Sequence, residues 1–309
     1  MFIAPKHLVR RAKMTTNYIF PGDWTAWMTA LARAWHQRSA WRFGVIIIGI
    51  VLAQGRRTVT SWFRAANITK HYKAFYYFIG AVGKKTETIA TILLEIMIHL
   101  IYRKNPRVLM AIDDSPTKRY GPKVQGAGIH RNPTPGPQGH KFLYGHIWVS
   151  LSALVRHKSW GTIGLPLLAK MYVRAKDIAT VPKHYQISFQ NKLQQASELV
   201  QWAAECCKRL DKTLWIVTDG GYTRAGFLKP VIRLGVTVIT RLRKDAALHA
   251  LPRPVKKRKR GRPRKYGRRL DLRQIALGKY LVTLETAGKK LTRKAQVKKT
   301  TNWPVGIRE

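Results

Sequence analysis

The chain is poor in acid, in cysteine and in long apolar stretches. It has 14 Asp and Glu residues against 58 Lys and Arg, which gives a net charge of +44. Such a charge repels cationic partners and concentrates polyanions, so nucleic acid is the natural partner and an anionic membrane surface is the alternative. The apolar stretches argue against a membrane-spanning protein. Residues 43–53 are too few for the ~20 that a span requires, and Glu95 and His99 interrupt residues 88–102.

The two cysteines, Cys206 and Cys207, are adjacent in the sequence. Adjacent cysteines rarely pair with each other and cannot form a zinc site alone. Their neighbours predict a helix, in which both would be buried as small hydrophobic side chains. Residues 1–14 contain no apolar segment typical of a secretory signal. These features predict a protein of the reducing cytoplasm.

The first part of the chain, residues 17–105, predicts an all-helical domain. Asp23 is a candidate N-cap for an apolar stripe at 3–4 spacing. Residues 44–53 and 58–66 flank a Gln54-Gly55 turn and form a helix-turn-helix candidate, with plain packing of two helices as an equal alternative. Arg56 and Arg57 would then face phosphate at the start of the second helix. A further aromatic cluster is expected in the core rather than on a base-stacking surface; it comprises Tyr72, Phe75, Tyr76, Tyr77 and Phe78.

The middle of the chain, residues 106–244, predicts an α/β unit with a mixed sheet. Residues 115–140 are rich in Gly, Pro, Lys and Arg and predict a long loop. The remaining pattern is three strands, helix, strand, helix, strand. The strands are expected at residues 108–112, 142–155, 161–173, 214–218 and 236–240, and the helices at residues 190–210 and 223–234.

Two of the predicted strands end in aspartate, which is notable in a chain with so little acid. Residues 108–112 precede Asp113 and Asp114, and residues 214–218 precede Asp219. If these strands are neighbours, the carboxylates meet at one sheet edge, where α/β sheets place their sites. Carboxylate oxygens are the ligands that Mg²⁺ prefers, so the pattern favours a divalent metal beside a phosphodiester. The alternative is that these residues are ordinary turn aspartates.

The last part of the chain, residues 245–309, begins with a dense basic run that predicts an extended DNA-binding segment. Residues 260–263 match the core of an AT-hook, which places arginines in an A/T minor groove, although a generic basic linker on phosphates is also open. Residues 280–285 and 290–297 predict strands of a small β unit. The candidate DNA-binding residues of the run are Lys256, Lys257, Arg258, Lys259, Arg260, Arg262, Arg264 and Lys265.

The chain strongly resembles bacterial insertion-sequence transposases of the DDE type, a DDE superfamily endonuclease group akin to the insertion-sequence-four-like families. The resemblance covers residues 20–309. It is carried by residues 111–130, 132–136, 217–222, Arg224, 227–230 and 262–267.

This resemblance implies an RNase H-like catalytic core that binds Mg²⁺ or Mn²⁺ and acts on transposon ends and target DNA. Asp114 matches the first catalytic and metal-binding aspartate and Asp219 the second, while Asp113 could share or replace the role of Asp114. The loop residues Lys118, Arg119 and Lys123 would hold DNA phosphates. A nucleoid-associated protein is implied, with no membrane role and with homo-oligomerisation open for the intact enzyme.

The third family acid should be a Glu in a Tyr-x-x-Arg-x-x-x-Glu helix, and the sequence contains no such motif. After Asp219 its only acids are Asp245, Asp271, Glu285 and Glu309. We therefore expect a truncated transposase that stops within a β-rich insertion and is inactive alone. The alternatives are a non-catalytic DNA-binding remnant or inhibitor and a metal-dependent nuclease without strand transfer. His130, His140 and His146 are expected to make fold or phosphate contacts rather than bind zinc.

Overall fold

The computed structural model describes residues 22–132 and 139–241, together with 249, 261, 267–269, 282–284 and 293–295. The chain divides into two compact units between Val108 and Leu109, with Arg209–Lys212 joined to the first. The predicted DNA-binding residues of the basic run, at 256–260 and 262–265, lie outside the described residues. So do Asp245, Asp271, Glu285 and Glu309.

The first unit contains five α-helices among its described residues. Its core is formed by apolar side chains of these helices, including Phe43, Phe63, Phe75 and Phe78. Aromatic contacts fix the core, because Phe63 and Phe75 pack edge to face with ring centroids 5.8 Å apart. The helices are α1 (Gly22–Ala32), α2 (Gln37–Leu52), α3 (Val59–Ala65), α4 (Tyr72–Gly83) and α5 (Thr86–Leu100).

The corner between α2 and α3 is close-packed. A Cβ added to Gly49 would lie 2.2 Å from the Trp62 carbonyl oxygen, so only glycine permits this approach. Thr58 caps α3 through a reciprocal capping box with Ser61. Arg56 and Arg57 lie directly before α3, close to where the sequence places them. Both precede the Thr58 cap, because the capping box makes Val59 the first residue of the helix.

Two expectations for the helical unit were wrong. Asp23 does not cap α1, because the helix begins at Gly22 and Asp23 lies in its first turn, where a negative charge favours the helix dipole. Only the phenylalanines of the α4 aromatic cluster are in the core. Tyr72, Tyr76 and Tyr77 are exposed, although the Tyr76 ring still packs edge to face on Phe63 with centroids 4.9 Å apart.

The second unit is built on a mixed sheet. Its strand order is β2-β3-β1-β5-β6, and β4 pairs with β3. The β1–β3 and β3–β4 pairs are antiparallel and the β5–β6 pair is parallel. The strands are β1 (Arg107–Lys118), β2 (Gly128–Arg131), β3 (Phe142–His157), β4 (Gly161–Tyr172), β5 (Thr213–Thr218) and β6 (Thr237–Thr240).

The structure corrects the prediction for the first strand and the loop after it. β1 does not end at Asp113 and Asp114 but continues to Lys118, which pairs with Gly145 of β3. The close approach requires glycine at this position, because a Cβ on Gly145 would lie 2.1 Å from the Thr117 carbonyl oxygen. Residues 128–131 of the predicted loop also form a strand, β2, on the other side of β3. Pairing with the long β3 therefore overrides the Gly/Pro-rich local sequence.

Two helices complete the second unit, as the sequence predicts. They are α6 (Lys192–Arg209) and α7 (Ala225–Arg233). Cys206 and Cys207 are buried in α6 as free thiols, and burial raises the pKa of Cys207 to about 12. The short strands β7 (Val282–Leu284) and β8 (Arg293–Ala295) pair antiparallel. Among the helices in the described part of the chain, none is long and apolar enough to cross a membrane.

Candidate functional site

Asp113 and Asp114 lie in the middle of β1, which is an inner strand between β3 and β5. Side chains alternate between the two faces of a strand. Asp114 therefore continues the face of Val108, Met110 and Ile112, which are at most 2% exposed. Asp113 lies on the opposite face and is more exposed than Asp114. The strand thus turns two adjacent carboxylates to different sides of the sheet.

Asp219 directly follows β5, the strand beside β1. It caps the short turn Gly220–Tyr222, because its Oδ1 accepts the Gly221 N–H at 3.0 Å. Its carbonyl oxygen accepts the Thr240 hydroxyl at 2.9 Å, which ties the turn to the end of β6. The neighbouring strands β1 and β5 therefore each bring acid to the same region of the sheet.

Two side chains from distant parts of the sequence contact Asp114. The Lys192 ammonium, at the first residue of α6, lies 2.6 Å from Asp114 Oδ2. The Tyr222 hydroxyl donates to Asp114 Oδ1 at 3.4 Å. Tyr222 is 3% exposed and packs edge to face on Phe227 with centroids 5.6 Å apart, so its hydroxyl is held in place by the core.

The charges of Asp114 and Asp219 act on the Asp113 carboxyl and on the Tyr222 hydroxyl. Although Asp113 is exposed at the surface, partial desolvation raises the pKa of its carboxyl, and the charges of Asp114 and Asp219 act in the same direction. Burial raises the pKa of Tyr222 strongly, and all three aspartates add to that shift. Tyr222 is therefore a hydrogen-bond donor at neutral pH, and the region attracts positive charge.

No group of three or more His, Cys, Asp or Glu residues in the described part of the chain forms a ready metal cage. Asp113 and Asp219 nevertheless offer the donor type that Mg²⁺ prefers, and Mg²⁺ commonly takes only one or two protein carboxylates. The donor set therefore fits an open Mg²⁺ or Mn²⁺ site completed by substrate and water.

One of the three candidate histidines, His146, makes side-chain hydrogen bonds within the fold. His146, 7% exposed, accepts the Arg119 Nε–H at Nδ1 over 3.1 Å, and its Nε2–H donates to the Gln125 carbonyl at 2.9 Å. Burial lowers the pKa of His130, and the charges of Arg174 and Lys192 lower it further. His140 is exposed.

The predicted phosphate-binding residues lie beyond the acidic region. Lys118 is the last residue of β1, about 13 Å along the strand from Asp114 at ~3.3 Å per residue. Arg119 follows it and is held by His146. Lys123 is exposed on the next turn. The three residues thus extend the site along a basic loop rather than surrounding the carboxylates.

Sequence reasoning missed Lys192 entirely. It is separated from Asp114 by 78 positions, and nothing local marks it. The sequence marks only its place at the start of α6. Asn191 and Gln194 form a reciprocal capping pair at that helix end, with both N–H···O distances at 2.9 Å.

Comparison with known proteins identifies the family. The profile of the family described as DDE superfamily endonuclease matches residues 29–308, which is most of the chain. No curated protein matches the chain. A family match of that extent, on a mixed α/β sheet with aspartates on neighbouring strands, establishes the family. The chain belongs to the DDE superfamily endonucleases.

Proposed function

We propose that this protein is an insertion-sequence transposase of the insertion-sequence-four-like group, with an RNase H-like core that cleaves and joins DNA by metal-dependent chemistry. The observation that carries the proposal is that Asp113 and Asp114 lie on β1 and Asp219 directly follows the neighbouring strand β5. Family membership supports endonuclease chemistry, and strand transfer goes beyond it.

The acidic residues would hold Mg²⁺ or Mn²⁺. When bound, the metal supplies activation of the attacking oxygen and stabilisation of the leaving oxygen at a phosphodiester. Within the chain, Lys192 compensates the charge of Asp114, and Tyr222 donates a hydrogen bond to the same carboxylate. Asp219 is held at the head of its turn by Gly221 and Thr240.

DNA is the substrate that the charge supports. The chain carries +44, and counterion release makes binding to a polyanion favourable. Lys118 at the end of β1, and Arg119 and Lys123 in the loop after it, would contact phosphates beyond the acidic residues. The run of residues 256–265 would add sequence-tolerant contacts, with Arg262 entering an A/T minor groove.

The sequence has no Tyr-x-x-Arg-x-x-x-Glu motif to supply a third carboxylate, so we propose that this chain alone cleaves DNA slowly and transfers strands poorly. Two alternatives belong to different functional classes. A non-catalytic DNA-binding protein would use the positive charge without the aspartates. A simple metal-dependent nuclease would cleave without strand transfer.

The test is binding and cleavage of transposon-end DNA by the purified chain in Mg²⁺, Mn²⁺ or EDTA, beside the Asp219→Asn variant. We expect DNA binding in all conditions and slow cleavage that requires metal and Asp219. DNA binding with no cleavage under any condition would favour the non-catalytic alternative. Robust strand transfer that Glu285→Gln abolishes would show that Glu285 is the third acid.

A further inference from the structure

Asp114 differs from the other two aspartates in how its oxygens are used. Oδ2 lies 2.6 Å from the Lys192 ammonium, and Oδ1 accepts the Tyr222 hydroxyl at 3.4 Å. Both oxygens are therefore engaged by side chains of other elements, one from α6 and one from the turn after β5. A metal ion binding at Asp114 would have to displace at least one of these contacts.

Asp113 and Asp219 each have one oxygen engaged by the backbone. Asp113 Oδ1 accepts the N–H of Asp114 at 2.8 Å, and Asp219 Oδ1 accepts the N–H of Gly221 at 3.0 Å. Within the described residues, the second oxygen of each has no hydrogen-bond or ion-pair partner. These local bonds orient the carboxylates, and their remaining oxygens are available for a ligand.

We propose that Asp114 is a positioning residue, held by Lys192 and Tyr222, and that the divalent metal is shared by Asp113 and Asp219. The assignment of the metal rests on the proposed function. It makes Asp113, rather than Asp114, the first metal ligand, which is an alternative that the sequence leaves open.

The contacts of Asp114 explain what positioning accomplishes. Lys192 is the first residue of α6, and the capping pair of Asn191 and Gln194 fixes that helix end. Tyr222 belongs to the turn that Asp219 caps. Asp114 therefore joins β1, α6 and the turn after β5 at one point, and so sets where Asp219 lies relative to Asp113.

The charges are consistent with this division. Three carboxylates near one another repel, and Lys192 neutralises the one that lies on the buried face of β1. Its ammonium also lies 5.7 Å from the centroid of the Tyr172 ring, a second favourable contact that retains it at Asp114. The remaining pair, Asp113 and Asp219, carries two negative charges, which suits one divalent ion.

The experiment measures Mn²⁺ affinity by calorimetry for the full chain and for Asp113→Asn, Asp114→Asn and Asp219→Asn. Glu205→Gln, an exposed acid on α6, is the matched control. We expect Asp113→Asn and Asp219→Asn to weaken binding at least about tenfold, the loss expected for a direct ligand. Asp114→Asn should weaken it less than either of these, because it disturbs the placement of the ligands without removing one. Tenfold loss in Asp114→Asn with affinity retained in Asp113→Asn would overturn the assignment.

The Nζ signal of Lys192 in a ¹H–¹⁵N spectrum reports directly whether Lys192 stays on Asp114 when the metal binds. The signal is identified by its absence in Lys192→Met. We expect it to keep its chemical shift when Mg²⁺ saturates the protein, because Lys192 stays on Asp114. A large shift or loss on adding Mg²⁺ would show that the metal takes Asp114 and would refute the proposal.

Thermal unfolding separates this proposal from the proposed function. Asp114→Asn and Lys192→Met should each lower the unfolding temperature by about 2–4 °C, the change expected for one such contact in a unit of this size. The double variant should be no worse than the worse single variant. Failure of the unaltered chain to bind Mn²⁺ would reject both the proposed function and the assignment of the metal to Asp113 and Asp219. Additive or absent thermal effects would reject the positioning role.

Discussion

Replacing His146 by leucine should release the loop that carries the predicted phosphate-binding residues. His146 joins β3 to that loop through Arg119 Nε at 3.1 Å and the Gln125 carbonyl at 2.9 Å. These partners require a neutral ring with its proton on Nε2. Leucine fills a similar volume but makes neither bond, so the Gln125 carbonyl and the Arg119 guanidinium would have to find water.

The expected cost is about 1–2 kcal/mol in the free energy of unfolding, at ~0.5–1.5 kcal/mol for each lost hydrogen bond. The lower half of the range suits the Arg119 contact, because Arg119 is exposed and water can replace His146. His146→Gln should recover part of the loss, because its amide can still donate to the Gln125 carbonyl.

The assay combines urea unfolding with amide hydrogen exchange and DNA binding. Exchange should rise in residues 119–127 well before it rises in β3, and DNA affinity should fall because Arg119 and Lys123 lose their fixed positions. Unchanged exchange at residues 119–127 in His146→Leu would refute the reasoning. Another hydrogen bond, between the Gly126 N–H and Thr180 Oγ1 at 2.9 Å, would then be sufficient to hold the loop.

Three other predictions concern separate features. Gly49→Ala should destabilise the helical unit by about 1–3 kcal/mol through its clash with the Trp62 carbonyl, whereas Gly44→Ala, whose nearest contact is at 3.9 Å, should be neutral or stabilising in the same urea titration. DNA affinity should fall roughly 10³–10⁵-fold between 50 and 200 mM salt if ~6–10 phosphates are contacted, with a shallower slope after residues 256–260 are neutralised. In EDTA, Asp113→Asn should raise the unfolding temperature at neutral pH. Because the pKa of Asp113 is raised, its charged carboxylate destabilises the folded chain at neutral pH. The difference in unfolding temperature between the variant and the unaltered chain should therefore disappear below the ordinary pKa of 3.8. A difference that stays constant with pH would contradict the prediction.

The sequence predicted most regular elements of the second unit because each shows its own periodicity. Strands β3 to β6 and helices α6 and α7 lie within a few residues of their predicted ranges. The failures share a physical cause. The extension of β1 to Lys118 and the strand β2 depend on pairing with β3, which a Gly/Pro-rich local sequence does not reveal. Likewise, periodicity placed the α4 tyrosines on a helix but could not show which face lacks a packing partner.

The sequence singles out the acids of the candidate site but not the contacts that these acids make. Scarcity of acid drew attention to Asp113, Asp114 and Asp219, and the sheet order does place their strands side by side. Alternation along β1 separates Asp113 from Asp114, but the sequence does not say which of them is engaged elsewhere. The contact with Lys192, which lies 78 positions away in the sequence, shows that Asp114 is the engaged aspartate. This contact forms only in the folded chain.

The most direct test of the account is to locate the metal. Crystals soaked in Mn²⁺ can be measured at a wavelength where manganese scatters anomalously. We predict one anomalous peak next to the free oxygens of Asp113 and Asp219, with Mn–O distances near the ~2.0–2.2 Å typical of small divalent ions and Lys192 still on Asp114. A map with no peak at these residues, or with the peak at a different group of ligands, would contradict the metal-dependent site.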